Sequence, residues 1–494
     1  MNSLNYTDFM YIIASIILIS IVLTAKIADK WKLPLVLIAL AFGIIFGSDI
    51  TGLVYFDNAI LAKQIADFGL MFVLFIGGFG TKKEILKNVL RPSLTLASLG
   101  VIITAVITGV CLNFFLGFNL AHALLLGCVI SSTDAAAVFS ILRTRSLSGQ
   151  IASITEIESA TNDPMAIILT TTAIQLIGAN LQNPLNIGLA VLWQFIGGIL
   201  IGLIIGKMGS FLLKKIENID KGYFYILVIG IVFLSFGIAD LIKASGMLSA
   251  FFAGFIMGNS SIPYKRGITT FLDALSTISN VAIFVLLGLL VFPREFGSIW
   301  FQGLIVFIIL TFLSRPIAVF ICTSLSKFSF KEKLFLSWSG LRGAVPIVLA
   351  TYPVAAGVEQ ARIIFNIVFF AVALSILIQG STISKIADLL KLTIKTKSKP
   401  NQVMELVTFH TNELELCELS IDDDIYEGSA TIQSIHLPEG TTISMINRNE
   451  KIIAPRGSTI IYPGDVLFIL VRVDNEEKVT TEILKHFLLK NGSA

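Results

Sequence analysis

Charged residues are scarce in this chain. Asp, Glu, Lys and Arg together make up 14% of its 494 residues, whereas 55% are apolar and the mean hydropathy is +0.85. So small a polar fraction cannot cover the surface of a water-soluble globule of this size. The composition therefore excludes a soluble protein and indicates one that crosses a membrane many times.

Motifs of several other membrane-protein classes are absent. The sequence has no TVGYG-like filter of a potassium channel and no HExxH that would hold zinc in an enzyme. Its four cysteines lie far apart, without CxxC spacing or a disulfide framework, at positions 111, 128, 322 and 417. We therefore expect neither an enzyme nor a bound cofactor, and a regulated cation channel is only a remote alternative.

Thirteen apolar stretches approach or exceed the length needed to cross about 30 Å of hydrocarbon. They cover residues 9–25, 34–50, 62–80, 93–117, 121–142, 154–178, 186–213, 223–241, 246–258, 272–293, 299–325, 335–352 and 363–386. With Lys63 and Lys385, at the ends of two stretches, counted in the adjoining loops, the odd-numbered loops up to residue 399 hold 22 lysines and arginines, and the even-numbered loops hold four. This bias predicts a multi-pass protein of the cell (inner) membrane, with its N-terminus outside and its C-terminal part in the cytoplasm.

The chain changes character after Leu392. Residues 401–494 carry 7 basic and 15 acidic residues, a net charge of −8, so this part has no reason to bind nucleic acid or anionic lipid. Strands are predicted at 404–409, 414–419, 459–462 and 466–471, and a helix at 476–489. We predict a transmembrane domain over 1–392, a polar linker over 393–402 and a small cytosolic α+β domain over 403–487.

Two carboxylates, Glu158 and Asp163, lie inside an apolar stretch. A charge near the centre of a bilayer costs at least about 2.5 to 3.5 kcal/mol, so such residues are functional by default. Ser159 lies one helical turn before Asp163 on the same face, and Asn162 adjoins it. Oxygen groups of this kind replace water around a hard cation. Because burial disfavours a charged carboxylate, a proton and a cation would compete for Asp163.

Glu158 has a natural partner elsewhere in the membrane. It lies five residues from Asp163, which places it about 140° round the helix and outside the same pocket. Arg315 stands in another apolar stretch, and a lone buried arginine is as costly as a lone buried carboxylate. We predict that Glu158 and Arg315 form a stabilising ion pair, which leaves Asp163 as the acid that titrates.

Two stretches carry sequences that interrupt a helix. Residues 131–137 place Asp134 among small residues, and residues 339–346 surround Arg342 with two glycines and a proline. One broken helix in each half is typical of an inverted-repeat transporter whose site lies at the membrane midplane. We expect Asp134 to neutralise the N-terminal ends of the broken helices and Arg342 their C-terminal ends.

These motifs together resemble those of the NhaP-type monovalent cation/proton antiporters of the Asn-Asp class, over residues 10–390. The motifs are Thr133-Asp134, Glu158-x-x-x-Asn162-Asp163-Pro164, Arg315-Pro316 and Gly340-Leu-Arg-Gly-Ala-Val-Pro346. The resemblance implies a homodimer, electroneutral exchange and a core of spans four to six and eleven to thirteen that moves against a dimerising scaffold.

The same resemblance implies the roles of the site residues. Asp163 carries the cation and the proton, Ser159 and Thr133 coordinate the cation, and Asn162 beside them is structural. The sequence departs from the pattern at one place, because many relatives have an acid near Ile76, where this chain is apolar. The departure concerns the cation shell and hence the selectivity, which the resemblance therefore leaves open.

The tail resembles the C-terminal RCK (TrkA-C) domain over roughly residues 403–475. The matching segments begin at Leu437 and include the turns Pro455-Arg-Gly457 and Pro463-Gly-Asp465. The resemblance implies a module that dimerises and binds a nucleotide or other small regulatory ligand. No GxGxxG precedes it, so the nucleotide-binding half of RCK is absent.

The ion remains open between two choices. RCK-type modules accompany potassium channels and transporters, so the tail favours potassium/proton exchange for cytoplasmic pH and cation homeostasis. The site residues do not fix an ion radius, and sodium or lithium/proton exchange is the alternative. Besides the ions, the expected partners are membrane lipid and a second copy of the chain.

Overall fold

The computed structural model describes residues 6–31, 35–83, 91–134, 138, 146–147, 149–178, 184–216, 220–326, 328–394, 414–421, 431–435, 437, 440–448 and 451–472. The chain divides into two compact units, Met1–Ile394 and Lys395–Ala494. The described part of the first unit is almost entirely helical, as an apolar chain in a bilayer must be to satisfy its own backbone.

The helices of the first unit cover each of the thirteen predicted spans wholly or in part. They are α1 (Tyr6–Trp31), α2 (Leu35–Phe46), α3 (Ala59–Gly80), α4 (Val101–Leu116), α5 (Leu120–Val129), α6 (Gly149–Gly178), α7 (Pro184–Lys215), α8 (Lys221–Leu241), α9 (Gly246–Gly258), α10 (Lys265–Leu289), α11 (Phe296–Ile309), α12 (Arg315–Cys322), α13 (Phe330–Trp338), α14 (Ala344–Ala355), α15 (Ala361–Leu374) and α16 (Ser381–Leu389). Within the described residues, eight helical stretches are long and apolar enough to cross a membrane, and α2, α5, α9 and α14 are shorter apolar helices.

The two predicted interruptions are present. Helix α5 ends at Val129, and residues 132–134 that follow have no regular structure. Helix α13 ends at Trp338, and the chain becomes helical again only at Ala344, where α14 begins. The mostly helical fold with two broken spans was therefore predictable from the glycines, the proline and the buried charges.

Three π-helical segments were not predicted. Leu96–Gly100 leads into α4, Leu310–Ser314 joins α11 to α12, and Ser375–Gly380 joins α15 to α16. A π-helical turn takes an extra residue into the helix and changes the direction in which the following side chains point. Two of these segments carry or adjoin residues of the candidate site described below.

Glycine allows close approach between helices that carry few polar contacts. A Cβ at Gly254 of α9 would lie 2.0 Å from the carbonyl oxygen of Phe75 in α3. A Cβ at Gly288 of α10 would lie 2.4 Å from the carbonyl oxygen of Leu40 in α2. Small residues at such positions let two membrane helices touch through their backbones.

We call α1–α3 and α7–α10 the α3 group, and α4–α6 and α11–α16 the α6 group.

The second unit contains a four-stranded antiparallel sheet. Its strands are β3 (Leu414–Ser420), β4 (Thr442–Arg448), β5 (Lys451–Ile453) and β6 (Val466–Arg472), in the order β3-β6-β4-β5. Strands β3 and β6 match two predicted strands, whereas the predicted strand at 459–462 contributes only a bridge from Ile460 to Thr431. Strands β4 and β5 were missed, and the predicted strand at 404–409 and helix at 476–489 lie outside the described residues.

Two further details concern the boundary and the turns. The short strands β1 (Ser146–Leu147) and β2 (Thr393–Ile394) pair with each other, so the first two residues of the predicted linker are paired with the membrane unit. In the second unit, Arg448 donates to both carboxylate oxygens of buried Asp465, at 2.8 and 2.7 Å. This contact fixes the Pro-Gly-Asp turn before β6.

Candidate functional site

Asp163 lies near the middle of α6 and is 9% exposed. The hydroxyl of Ser132, in the break after α5, donates to its Oδ1 at 2.5 Å. Ser132 was not among the predicted site residues, although it stands next to Thr133 in the same motif. Its position in an unwound segment allows the side chain to reach a neighbouring helix.

The three residues predicted to accompany Asp163 are brought together around the same break. Ser159 donates its hydroxyl to the carbonyl oxygen of Thr133 at 2.8 Å. The side-chain amide of Asn162 donates to Thr133 Oγ1 at 2.5 Å. All three side chains are buried. The result is a cluster of one carboxylate with hydroxyl, carbonyl and amide oxygens, each of which retains lone pairs that can face a cation.

Glu158 and Arg315 are in direct contact. The guanidinium donates to both carboxylate oxygens, at 2.5 and 2.9 Å, and to the carbonyl oxygen of Leu336 at 3.3 Å. Both residues are buried, and a bidentate geometry of this kind is the strongest form of the pair. A Cβ at Gly340 would lie 2.6 Å from Arg315 Nε, which explains a glycine at that position. The charge of Glu158 is therefore already balanced.

The two breaks contact each other through Asp134 and Arg342. Arg342 Nη1 donates to the carbonyl oxygens of Ser131 and Ser132, each at 2.5 Å, just beyond the C-terminal end of α5. The backbone N–H of Asp134 donates to the carbonyl oxygen of Leu341 at 2.8 Å. The Asp134 carboxylate lies against Gly343, where a Cβ would be 1.8 Å from Oδ2, immediately before α14 begins. The basic residue thus lies at a helix C-terminus and the acidic residue at a helix N-terminus, where each charge opposes the partial charge of the helix dipole.

The π-helical segment Ser375–Gly380 supports the second break and was missed by the sequence reasoning. The Ser375 hydroxyl accepts from the backbone N–H of Arg342 at 3.1 Å and donates to Gln379 Oε1 at 2.5 Å. Gln379 in turn donates to the carbonyl oxygen of Trp338, the last residue of α13, at 3.2 Å. Backbone groups released by the break are therefore satisfied by two side chains four residues apart. A serine and a glutamine inside an apolar stretch were the available signal.

A second polar cluster lies between α3 and α14. The Tyr352 hydroxyl donates to Asp67 Oδ1, and Lys63 Nζ lies 2.7 Å from Asp67 Oδ2. Lys63 Nζ also lies 4.3 Å from the centroid of the Tyr352 ring. Asp67 is thus held by one residue of its own helix and one residue of a broken span.

The chemistry of the Asp163 cluster suits a monovalent cation. Within the described residues, no group of three or more His, Cys, Asp or Glu side chains could hold a metal ion. One carboxylate among neutral oxygens matches a single positive charge, and the same carboxylate can take up one proton instead. Ile76, where an acid was noted as missing, packs among apolar side chains.

Each of the two units matches a known protein family. Residues 15–389 match the family of the transmembrane sodium/hydrogen exchangers, and residues 422–484 match the TrkA-C domain. The chain is 33% identical to the K(+)/H(+) antiporter NhaP2 of Shewanella sp. strain ANA-3, over 93% of this chain and 80% of that protein. It is 32% identical to the K(+)/H(+) antiporter NhaP of Alkalimonas amylolytica, over 97% of this chain and 84% of that protein.

A solved antiporter structure is also similar to this chain. The sodium proton antiporter MjNhaP1 of Methanocaldococcus jannaschii, determined at pH 8, superimposes with a TM-score of 0.66 and 25% sequence identity. The superposition covers 78% of this chain and 99% of that one. The similarity therefore extends over the membrane unit as a whole and is not confined to the motifs around Asp163.

Proposed function

This chain belongs to the sodium/hydrogen exchanger family, and from that premise we propose that it exchanges potassium for protons through Asp163. It is a membrane-embedded transporter, and we place it in the cell (inner) membrane as a homodimer with the tail in the cytoplasm. The observation that carries the proposal is a buried carboxylate beside hydroxyl, carbonyl and amide oxygens where two broken helices meet.

The charges around the site support a one-for-one exchange. The charge of Glu158 is balanced by Arg315. Arg342 binds a carbonyl oxygen just beyond the C-terminal end of α5, and Asp134 lies against Gly343 at the N-terminal end of α14. Asp163 is then the acid that changes its charge during transport. It binds the cation when ionised and releases it when protonated, so each turnover moves one cation against one proton and no net charge.

Alternating access requires that Asp163 meet the two sides of the membrane in turn. In transporters with inverted repeats, this occurs through movement of one group of helices against the other around a fixed site. We propose that the α6 group carries the site and that the α3 group is the dimerising scaffold. The TrkA-C unit shifts the populations of the two states when a nucleotide or other small ligand binds to it.

Potassium is favoured over sodium by the names of relatives that match over more than nine tenths of this chain, which are potassium/proton antiporters. Sodium is the second candidate, because MjNhaP1 and a 30% identical relative from the same organism bear sodium names. Position 76, where many relatives have an acid, is apolar in this chain and adds no negative charge that would favour a smaller ion.

The decisive experiment measures proton movement in everted membrane vesicles with a pH-sensitive dye. Wild-type protein should dissipate a pH gradient on addition of potassium or rubidium, with a smaller response to sodium and lithium. Asp163→Asn should abolish the response to every cation, because it removes the titrating group. Asp240→Asn, at an exposed aspartate near the end of α8, is the matched control and should remain active.

Two outcomes would contradict the proposal. Exchange by well-inserted Asp163→Asn protein would mean that another group carries the proton. A wild-type response to sodium that exceeds the response to potassium at equal concentration would assign the chain to sodium.

A further inference from the structure

Tyr352 connects the two groups of helices. It belongs to α14 of the α6 group, and its hydroxyl donates to Asp67 in α3 of the α3 group. The other carboxylate oxygen of Asp67 is bound by Lys63, one turn earlier on α3. Lys63 also lies over the Tyr352 ring. We call these three residues the latch.

The latch lies on one side of the transport site. Asp67 is eight residues from the start of α3, and Tyr352 is eight residues from the start of α14, or about 12 Å along each helix. Helix α14 starts directly after the break that contains Arg342, and it runs towards the end at which α3 begins. The distribution of lysine and arginine predicts that this end is outside.

Other polar contacts between the two groups lie on the same side but are more exposed. Arg362 Nη1 lies 3.3 Å from Asp57 Oδ2, with side chains 46% and 36% exposed. On the same side, the backbone N–H of Arg294, in the turn between α10 and α11, donates to Asp49 at 3.0 Å. Exposed ion pairs contribute little to stability because water and salt screen them. In the latch, the Asp67 side chain is 18% exposed and Tyr352 is 7% exposed, so its hydrogen bond is better shielded.

We propose that the latch holds the outer side of the transport route closed, and that Tyr352 is a positioning residue that sets the balance between inward-open and outward-open states. The inference rests on the antiport proposed above. For Asp163 to face the outside, α14 must separate from α3, and the Tyr352 hydroxyl must then leave Asp67. The energy of that hydrogen bond therefore favours the inward-open state, in which it is made.

The test is Tyr352→Phe in the full-length protein, with the apparent KM for potassium measured separately at each face. Everted vesicles expose the cytoplasmic face, and right-side-out vesicles expose the outer face. The apparent affinity for an ion scales with the fraction of protein in the competent state. Loss of one hydrogen bond should therefore lower the outer KM roughly fivefold, while the cytoplasmic KM stays the same or rises.

Two further variants make the result specific. Tyr225→Phe removes a hydroxyl that lies 3.1 Å from the Tyr264 hydroxyl, a contact within the α3 group, and should change neither KM. Asp67→Asn keeps an acceptor for Tyr352 without its charge, and should lower the outer KM by a smaller factor.

The outcomes separate the latch from the proposed function. An outer KM of Tyr352→Phe that is unchanged, or that rises together with the cytoplasmic KM, overturns the latch when wild-type exchange is intact. Absence of potassium/proton exchange in the wild-type protein overturns the antiport instead.

Discussion

The two groups of helices in the membrane unit differ in the polar contacts between their helices. In the α3 group, glycines such as Gly254 and Gly288 bring helices into backbone contact, and the hydrogen bonds between helices include neutral pairs such as the buried hydroxyls of Ser235 and Ser249. In the α6 group, the contacts include an ion pair, a guanidinium on two carbonyl oxygens and a chain of side-chain hydrogen bonds. Backbone contacts fix the relative positions of two helices. Polar groups can in addition stabilise charges that change during a transport cycle.

The largest effect on stability is expected at the ion pair of the α6 group. Glu158→Gln or Arg315→Met should each destabilise the protein by roughly 3 to 5 kcal/mol, because each leaves an uncompensated buried charge. The double variant should recover part of this loss. A double-mutant cycle on thermal unfolding in detergent measures the coupling. Strictly additive effects would show that the two side chains stabilise the protein independently.

A smaller effect is expected at the backbone contacts of the α3 group. Gly254→Ala places a methyl group against the carbonyl of Phe75, which cannot move without its helix, and should cost about 1 to 3 kcal/mol. Gly230→Ala is the matched control in α8, because a Cβ there has no neighbour within 4 Å. Thermal melting of the two variants provides the comparison. Equal melting temperatures would mean that the glycine contacts are looser than the geometry indicates.

The smallest effect is expected at the hydrogen bonds that support the second break. Gln379→Ala leaves the carbonyl oxygen of Trp338 without its side-chain donor and should cost about 0.6 kcal/mol, the average for such bonds in membrane proteins, and at most about 1.7 kcal/mol. Gln175→Ala, at an exposed position of α6, is the control. Melting curves should separate the two variants by a few degrees at most. A loss as large as that of Glu158→Gln would show that the break depends on Gln379 far more than one bond allows.

The sequence alone identifies those residues whose burial in a membrane has a high free-energy cost. A charge within an apolar stretch is expensive wherever its partner lies, so Asp163, Glu158 and Arg315 could be recognised one at a time. The breaks were predictable for a similar reason, since glycine and proline weaken a helix whatever surrounds it. These features depend on the local sequence and on the membrane, both of which are known without a structure.

The features that were missed depend on which residues meet. Ser132 reaches Asp163 because the chain is unwound at that point, and no periodicity applies to an unwound chain. Ser375 and Gln379 meet the break because a π-helical turn changes the direction of their side chains, and that turn has no clear signature in the sequence. The contact between Tyr352 and Asp67 joins residues that are 285 positions apart, so no local pattern in the sequence reveals it.

The hydrogen bonds from Arg342 to the end of α5 also determine when, during synthesis of the chain, the two broken spans can be joined. Arg342 is 211 residues beyond Ser131, whose carbonyl oxygen it binds. At synthesis rates of about 5 to 20 residues per second, some 10 to 40 s pass between the emergence of the two residues. During that interval the end of α5 lacks its permanent donor, and water or the insertion machinery must satisfy it. The contact between the two broken spans is therefore completed late, after most of the membrane unit has been synthesised.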